Sequence, residues 1–359
     1  MKSKRIKLFA NCIPVKGHNR SVICDLQRNN IVFIPNDLFD ILKYHDGKRI
    51  NEIKNIFKNK YNDVIDEYLD FLIKKELIFF TDNSELFPIL DSNWHEPVLI
   101  NNAILDVNNL TNYSVEFALE QLENLKCPHL EIRIFNDSNL KNLQHILSFI
   151  ESNCPNLGTI DFLIPYSIAL CDSYLFGLIS KHHQITSFKV FNSDKNKFIY
   201  PKEKGYIIYN ESEINSCKYC GIISPDYFTI NIKSFFENKH FNSCLNRKIS
   251  VDVNGEIKNC PSMAYGFGKI GDKSLEEVLS NDKFINLWKI GKNEIEICKI
   301  CEFRYICSDC RAYVEDPNNI YSKPLKCGYN PITSIWENWS LNPLKNKSIE
   351  YYNLKENKN

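Results

Sequence analysis

No stretch of this chain is built to cross a bilayer. The longest apolar run, near Phe162 to Cys171, contains Pro165 and Ser167 and is too short to span one. The start, MKSKRIKLFANCIPVKG, is basic, but its apolar run is too broken for a secretory signal. An excess of charge of either sign is missing too. The 44 basic side chains equal the 44 acidic ones, which favours neither nucleic acid nor an anionic membrane as a partner. Glycine is scarce, at 12 of 359 residues. Gly158, Gly177 and Gly205 stand alone, and no glycine-rich loop follows a strand-like run, so a nucleotide-phosphate cradle is not expected. There is no internal repeat and no low-complexity linker. Residue order shows no Ser-His-Asp or Cys-His arrangement. What these absences leave is a cytoplasmic chain of ordinary globular composition, long enough for two or three domains.

What the chain does have is cysteine, 14 in all. In a reducing compartment clustered cysteines serve as metal ligands more often than as disulfides. Cys12, Cys24, Cys127, Cys154 and Cys171 are scattered through the first half and are expected to be buried, small apolar side chains. The rest fall after residue 216. The densest run is CKICEFRYICSDCRAYVEDPNNIYSKPLKC, spaced Cys298-x2-Cys301-x5-Cys307-x2-Cys310-x16-Cys327. A two-residue gap turns both sulfurs the same way, so two such pairs close together are a strong metal signal. Phe303 and Tyr305 would shield a centre from water, and Arg304 and Arg311 would offset its negative charge. Upstream stand Cys217-x2-Cys220 and Cys244-x10-Gly255-x4-Cys260. Between the last two cysteines Ile249, Val251 and Val253 alternate and Asn254-Gly255 makes a hairpin turn, which would place Cys244 and Cys260 at neighbouring strand ends.

Periodicity divides the chain into three modules with an α/β pattern. Residues 1–90 show strand-like runs at Lys7 to Ile13, Ser21 to Asp25 and Asn30 to Pro35, with a tight turn at Asn29-Asn30. A helix capped by Asp37 and stopped by Gly47 follows, then Ile50, Ile53, Ile56 and Phe57 at helical spacing. A helix from about Asp63 to Lys75 leads into a strand at Leu77 to Thr81. This is a winged-helix pattern, but DVIDEYLDFLIKKE is net acidic, against DNA binding. Residues 91–240 alternate strands and helices. Strands are expected at Val98 to Val107, His129 to Asn136, Thr159 to Tyr166 and Ile185 to Asn192, then at Gly205 to Tyr209 and Tyr227 to Ile232. Helices are expected at Val115 to Leu125, Leu140 to Ser152 and Asp172 to Lys181. Repeated β-α units imply a parallel sheet or partial barrel. Residues 241–345 carry the cysteines and a helix at Leu275 to Leu279. Trp336 and Trp339 are expected to pack back, and the last fifteen residues to fray.

The cysteine pattern resembles the SPASM domain, a C-terminal extension of radical SAM enzymes that mature peptides and binds auxiliary 4Fe–4S clusters. Cys307 and Cys310 stand one residue closer than the usual pattern has them. The phrases CLNRKISVDVNGEIKNCPSM, CEFRYICSDCRAY and KPLKCGY resemble more specifically the SPASM partner of grasp-with-spasm systems, where the maturase accompanies an ATP-grasp ligase and a short precursor peptide. Residues 1–90 resemble in pattern and position the PqqD-like peptide-recognition element, to which a leader peptide adds as a strand beside the third helix. The resemblance implies two 4Fe–4S clusters. One would sit on Cys298, Cys301, Cys307 and Cys327. Cys244, Cys260 and Cys310 would share the other, with Cys220, or next Cys217, as fourth ligand. Two structural zinc sites would use the same thiolates.

The Cys-x3-Cys-x2-Cys loop that radical SAM catalysis needs is missing. NNLTNYS follows the first strand of the middle module, and Glu213 stands where a cysteine would precede Cys217-x2-Cys220. SAM is therefore not expected, and the middle module reads as a degenerate barrel. Pro261 stands where several SPASM maturases carry an acidic catalytic base. The residues leave open whether the chain is an enzyme, a peptide-binding adaptor stapled by zinc, or a radical SAM enzyme with an unrecognised SAM site. His182-His183 reads as a solvated loop pair, His240 as a possible extra ligand, and Asp309 as a group hydrogen-bonded to local backbone.

Overall fold

The computed structural model describes residues 4–135, 141–167, 170–200 and 205–354. Its front contains β1 (Arg5–Leu8), β2 (Cys12–Val15), β3 (Ser21–Asp25), β4 (Asn30–Ile34), α1 (Asn36–His45), α2 (Ile50–Ile56), α3 (Asn62–Lys74) and β5 (Ile78–Thr81). The run expected at Lys7 to Ile13 is broken. Cys12 N–H donates to Phe9 O at 2.8 Å, and this turn sends its two halves to different sheets. β1 pairs with β5, whereas β2, β3 and β4 form a separate antiparallel sheet in that order. Pro35, not Asp37, occupies the N-cap of α1, because its fixed φ already suits a helix entrance. The β3–β4 loop spans residues 26–29 and needs a left-handed Asn29 (φ 53°); Asn30 already pairs with Asp25.

Every residue of β3 is buried, because both faces of its sheet are covered. Cys12, Ile23 and Ile34 meet Leu38, Leu42, Ile53, Leu69 and Leu72 from the three helices. From the other face Val15, Val22, Cys24 and Leu26 pack on Phe235, Phe303, Ile306, Cys307, Cys327 and Tyr329. The front of the chain thus rests on the C-terminal cysteine run.

The middle is a mixed α/β structure with a large, mostly parallel sheet. Its elements are β6 (Asn102–Asn108), α4 (Val115–Asn124), β7 (His129–Phe135), α5 (Lys141–Asn153), β8 (Thr159–Pro165), α6 (Asp172–Lys181), β9 (Ile185–Phe191), β10 (Lys197–Ile199) and β11 (Tyr206–Tyr209). Asn136 and Leu140, expected at a strand end and a helix start, lie outside the described residues. After these come α7 (Ile232–His240), β12 (Lys248–Val251) and β13 (Ile257–Lys258). The sheet order is β10-β11-β9-β8-β7-β6-β12-β13, parallel from β11 to β12 and antiparallel at both ends. The hairpin of the third module therefore completes the sheet of the second.

Sequential strands lie side by side, so right-handed crossovers put α4, α5 and α6 on one face of the sheet. Leu105, Ile132, Phe162 and Phe188 face Leu119, Ile146 and Leu175 there. Side chains alternate across a strand. The opposite face consequently carries Asp106, Glu131, Arg133, Asp161 and Lys189. Arg133 grips Asp106 with two hydrogen bonds, Nε to Oδ1 at 2.6 Å and an Nη to Oδ2 at 3.0 Å, both groups buried.

The strand expected at Tyr227 to Ile232 is absent. Pro225–Tyr227 is a short 3-10 turn, and Ile232 opens α7, capped by Asn231 through the N–H of Ser234. Two short helices follow, α8 (Leu275–Leu279) and α9 (Asp282–Asn286), then the pair β14 (Tyr329–Asn330) and β15 (Ile335–Trp336). Trp336 packs back on Tyr329, with ring centroids 4.9 Å apart. The described part of the tail is not frayed. Residues Asn346–Tyr351 form α10, and Lys345, Ser348, Ile349 and Leu354 are buried. The Lys345 ammonium explains this by donating to the carbonyls of Leu325 (2.8 Å) and Cys327 (2.7 Å). Among the described residues no helix is long and apolar enough to cross a membrane.

Candidate metal centre

Four of the scattered cysteines, Cys12, Cys24, Cys127 and Cys154, are buried in apolar surroundings. Cys171 departs from that expectation. It is exposed at the N-cap of α6, with Sγ 3.1 Å from Ser173 Oγ.

The eight cysteines singled out after residue 216 come together as two groups of four. Cys298, Cys301, Cys307 and Cys327 line one small cavity with Phe228, Phe303, Tyr329 and Trp336. A 3-10 turn closes the first pair, Cys301 N–H donating to Cys298 O at 3.0 Å. Cys307 N–H donates back to Phe303 O at 3.0 Å. Cys327 arrives on a short parallel bridge to Ile223. Burial pushes the Cys298 thiol up to about 11 and the Cys307 thiol up to about 12; the thiols of Cys327 and Cys298 add to the latter. Burial also raises Cys301 well above an ordinary thiol, with Cys307 adding to it.

Cys220, Cys244, Cys260 and Cys310 form the other group, beside the polar face of the large sheet. Burial pushes the Cys260 thiol up to about 12, and Cys244 and Cys220 add to this. Cys310 is raised further, by burial and then by Cys244, Cys260 and Cys220. Cys220 sits at the rim. The residue is exposed, yet the protein packed around its thiol, and Cys244 next, still raise it. The Cys217 carbonyl accepts from Ser262 Oγ at 3.1 Å. Lys326 Nζ clamps the segment by donating to the carbonyls of Lys218 and Cys220 (2.9 Å to the latter).

Crowded, buried thiols stay neutral until a cation arrives, because a lone thiolate there is poorly solvated and repels its neighbours. Among the described residues no three His, Cys, Asp or Glu side chains stand where they hold a single metal ion. The sulfurs of each group are mutual neighbours, but not a closed single-ion shell.

Gly221 shows how tight the packing at the second group is. Its φ is +87°, and a Cβ there would lie 2.8 Å from Cys310 Sγ. Gly221→Ala is expected to cost about 1–2 kcal/mol from the left-handed backbone alone, and to loosen Cys310. A urea midpoint unchanged from that of the native protein would count against this packing.

The cations picked out by sequence do stand near the first thiol group, Arg304 lining its cavity and the Arg311 charge acting on Cys298, but their hydrogen bonds go to oxygens. Arg304 donates to the carbonyls of Lys16 and Cys301, fastening the front of the chain. Arg311 pairs with Asp309, Nε to Oδ2 at 2.7 Å, and donates to the carbonyls of Ile320 and Ser322. Tyr305 packs on Phe235 and bonds Asn293, whereas Phe303 does line the thiol cavity. Asp309 bonds side chains and not local backbone. Its partners are Arg311, Asn242 Nδ2 at 2.6 Å and Lys292 at 3.4 Å. His240 turns away to the carbonyl of Ser92 at 2.8 Å, and His182 lies by Glu151.

Two residues that the sequence reading missed do reach sulfur. Lys248 Nζ donates to Cys244 Sγ at 3.4 Å, and Lys292 Nζ to Cys307 Sγ at 3.7 Å. Only a lysine four residues after one cysteine hinted at the first, and nothing local hinted at the second.

Comparison with known proteins fits this centre. Residues 243–302 match the model of SPASM, an iron-sulfur cluster-binding domain. The chain carries a SPASM domain. The matched SPASM stretch contains Cys244, Cys260, Cys298 and Cys301; Cys307, Cys310 and Cys327 lie beyond it and Cys220 before it. No curated protein matches the chain. Among solved structures, Streptococcus suis SuiB bound to S-adenosylmethionine is similar at 11% identity and a TM-score of 0.31, over 89% of this chain and 98% of that one. SuiB bound to its precursor peptide SuiA is similar at 11% identity and a TM-score of 0.27, over 86% and 96%. TM-scores this low decide neither fold nor chemistry.

Proposed function

We propose that this protein takes part in maturing a ribosomally made peptide and carries two 4Fe–4S clusters. One would be held by Cys298, Cys301, Cys307 and Cys327, the other by Cys220, Cys244, Cys260 and Cys310. The observation that carries this reading is the assembly of eight cysteines into two groups of four around a SPASM domain. The donor set fits. Four thiols per group match the four-cysteine ligation of such a cluster. In a cluster each sulfur binds a different iron, so the sulfurs lie further apart than the ligands of one zinc ion. When bound, the clusters supply one-electron chemistry or a structural core. The chain's own residues do the rest: Phe303, Tyr329 and Trp336 exclude water, and Lys326 and Gly221 seat Cys220 against Cys310.

Residues 1–90 are the peptide-recognition module in this reading, a winged-helix element of PqqD-like type. β4 is an edge of its sheet, and Phe33 is half exposed there. A precursor segment would add along that edge through main-chain hydrogen bonds. The large sheet is then a degenerate partial barrel, without a SAM site after β6, and residues 241–345 form the cysteine-rich module. A partner ATP-grasp ligase, as in grasp-with-spasm systems, would act on the bound peptide in the cytoplasm.

Anaerobic purification with iron and sulfide analysis tests the metal reading. We expect about eight irons per chain, four for each four-cysteine site. Zinc with no thiolate-to-iron absorbance would overturn it. Precursor pulldown with the full chain and with a β4-edge variant, Val32→Pro, tests recognition. Equal capture by both would remove β4 from the binding site.

A further inference from the structure

Each cysteine group has one lysine whose ammonium is pointed at it. Lys248 stands on the polar face of β12 and donates to Cys244 Sγ at 3.4 Å. Among the described residues no carboxylate lies within ion-pair distance of it. The nearby charges are Arg133, which is spent on Asp106, and Glu131. Lys292 is 3% exposed and donates to Ser308 O at 2.9 Å and Cys307 Sγ at 3.7 Å. Among the described residues its one carboxylate within ion-pair distance, Asp309 at 3.4 Å, is already gripped by Arg311, so Lys292, Arg311 and Asp309 together keep one positive charge beside the thiols.

An ammonium buried, as at Lys292, or half-buried, as at Lys248, without a carboxylate of its own is costly and needs a compensating negative charge. Four thiolates around a four-iron core supply one, and that net charge grows by one when an electron is added. A fixed cation at hydrogen-bonding distance from a ligating sulfur favours the more negative, reduced state and so raises the reduction potential. This argument rests on the iron–sulfur reading above. We propose that Lys248 and Lys292 set the reduction potentials of the two centres, one lysine for each. No bond forms or breaks in this role. One electron from an external reductant enters a thiolate-held centre, and the lysine keeps its proton throughout.

The experiment is a redox titration with dithionite, followed by electron paramagnetic resonance, on the anaerobically reconstituted full-length chain. Native protein should show two midpoints. Lys248→Met should shift one of them downward and leave the other in place, and Lys292→Met should do the reverse. Lys248→Arg and Lys292→Arg keep the charge and should stay near the native values. Unchanged midpoints in both Met variants at full iron loading overturn the proposal. So does an Arg variant that shifts as far as its Met counterpart, because geometry and not charge is then what matters. Where a Met variant does not load, the Arg variant decides: native loading at a native midpoint supports the charge role, and lost loading overturns it. A native chain that takes up zinc and no iron overturns the iron–sulfur reading itself, a result distinct from all of these.

Discussion

Cys307→Ser is expected to lower bound iron from about eight to about four per chain, the loss of one four-cysteine site. Cys307 is buried among Phe303, Ile306, Cys327 and Tyr329, and its sulfur faces the cavity shared by its group. Serine there removes one soft ligand and buries a hydroxyl among rings. Cys310→Ser should remove the other set of irons, although the two residues are only three apart. Cys217→Ser should remove none, since the proposed ligand sets leave Cys217 out of both groups. Cys24→Ser should also leave the iron in place, because Cys24 packs as a small apolar side chain. Iron and sulfide per chain, measured on anaerobically purified variants, give the answer. Full iron in Cys307→Ser, or an equal loss in Cys217→Ser, would break the assignment of ligands.

Arg133→Ala should destabilise the chain by about 3–5 kcal/mol, the usual cost of stranding one half of a buried ion pair. Asp106 loses both of its hydrogen bonds and stays buried. Burial already holds the Asp106 carboxyl at about 6 against the opposing pull of Arg133. Without the guanidinium it rises further. A folded-state value above the unfolded one means that folding is favoured where the acid is protonated. The penalty should therefore be small near pH 4 and grow as the pH climbs through 6. Urea unfolding at both ends of that window tests it. A loss below about 1 kcal/mol at pH 8, within the range of an ordinary surface change, would mean that the pair is not a buried anchor.

Much of the fold could be read from periodicity. Long helices and buried strands carry it, as in Val115–Asn124 and Thr159–Pro165, and the β-α order gave a parallel sheet. Short elements were less legible. Lys7 to Ile13 looks like one strand, because alternation does not show the turn at Phe9 to Cys12. Tyr227 to Ile232 looks extended because aromatic and β-branched residues favour strands, yet Asn231 caps a helix there. The tail composition suggested fraying, and the buried Lys345 prevents it at α10. At the centre, spacing announced convergent thiols, but it could not tell that Cys310 leaves Cys307 for the hairpin cysteines. The turn at Asp309 decides that. This carboxylate is held by Arg311, Lys292 and Asn242, and Asn242 Oδ1 in turn accepts the N–H of Cys244 at 3.0 Å. Lys248 and Lys292 were invisible because a lysine in sequence looks solvated unless the fold buries it.

The contact between β2–β4 and the cysteine run has a consequence for how the chain is made. His18 N–H bonds Ile300 O at 2.8 Å, and Arg20 pairs with the buried Glu302 at 2.9 Å. These strands thus leave the ribosome well before the partners they depend on. At about 5–20 residues per second, the wait between His18 and Ile300 is on the order of 15–55 s. For that time Val15, Val22 and Cys24 present an apolar strand face with nothing to cover it, an invitation to chaperones and to strand exchange between neighbouring nascent chains. Translation slowed before His18 would do little harm; a stall shortly before Cys298 would leave that face bare for longest.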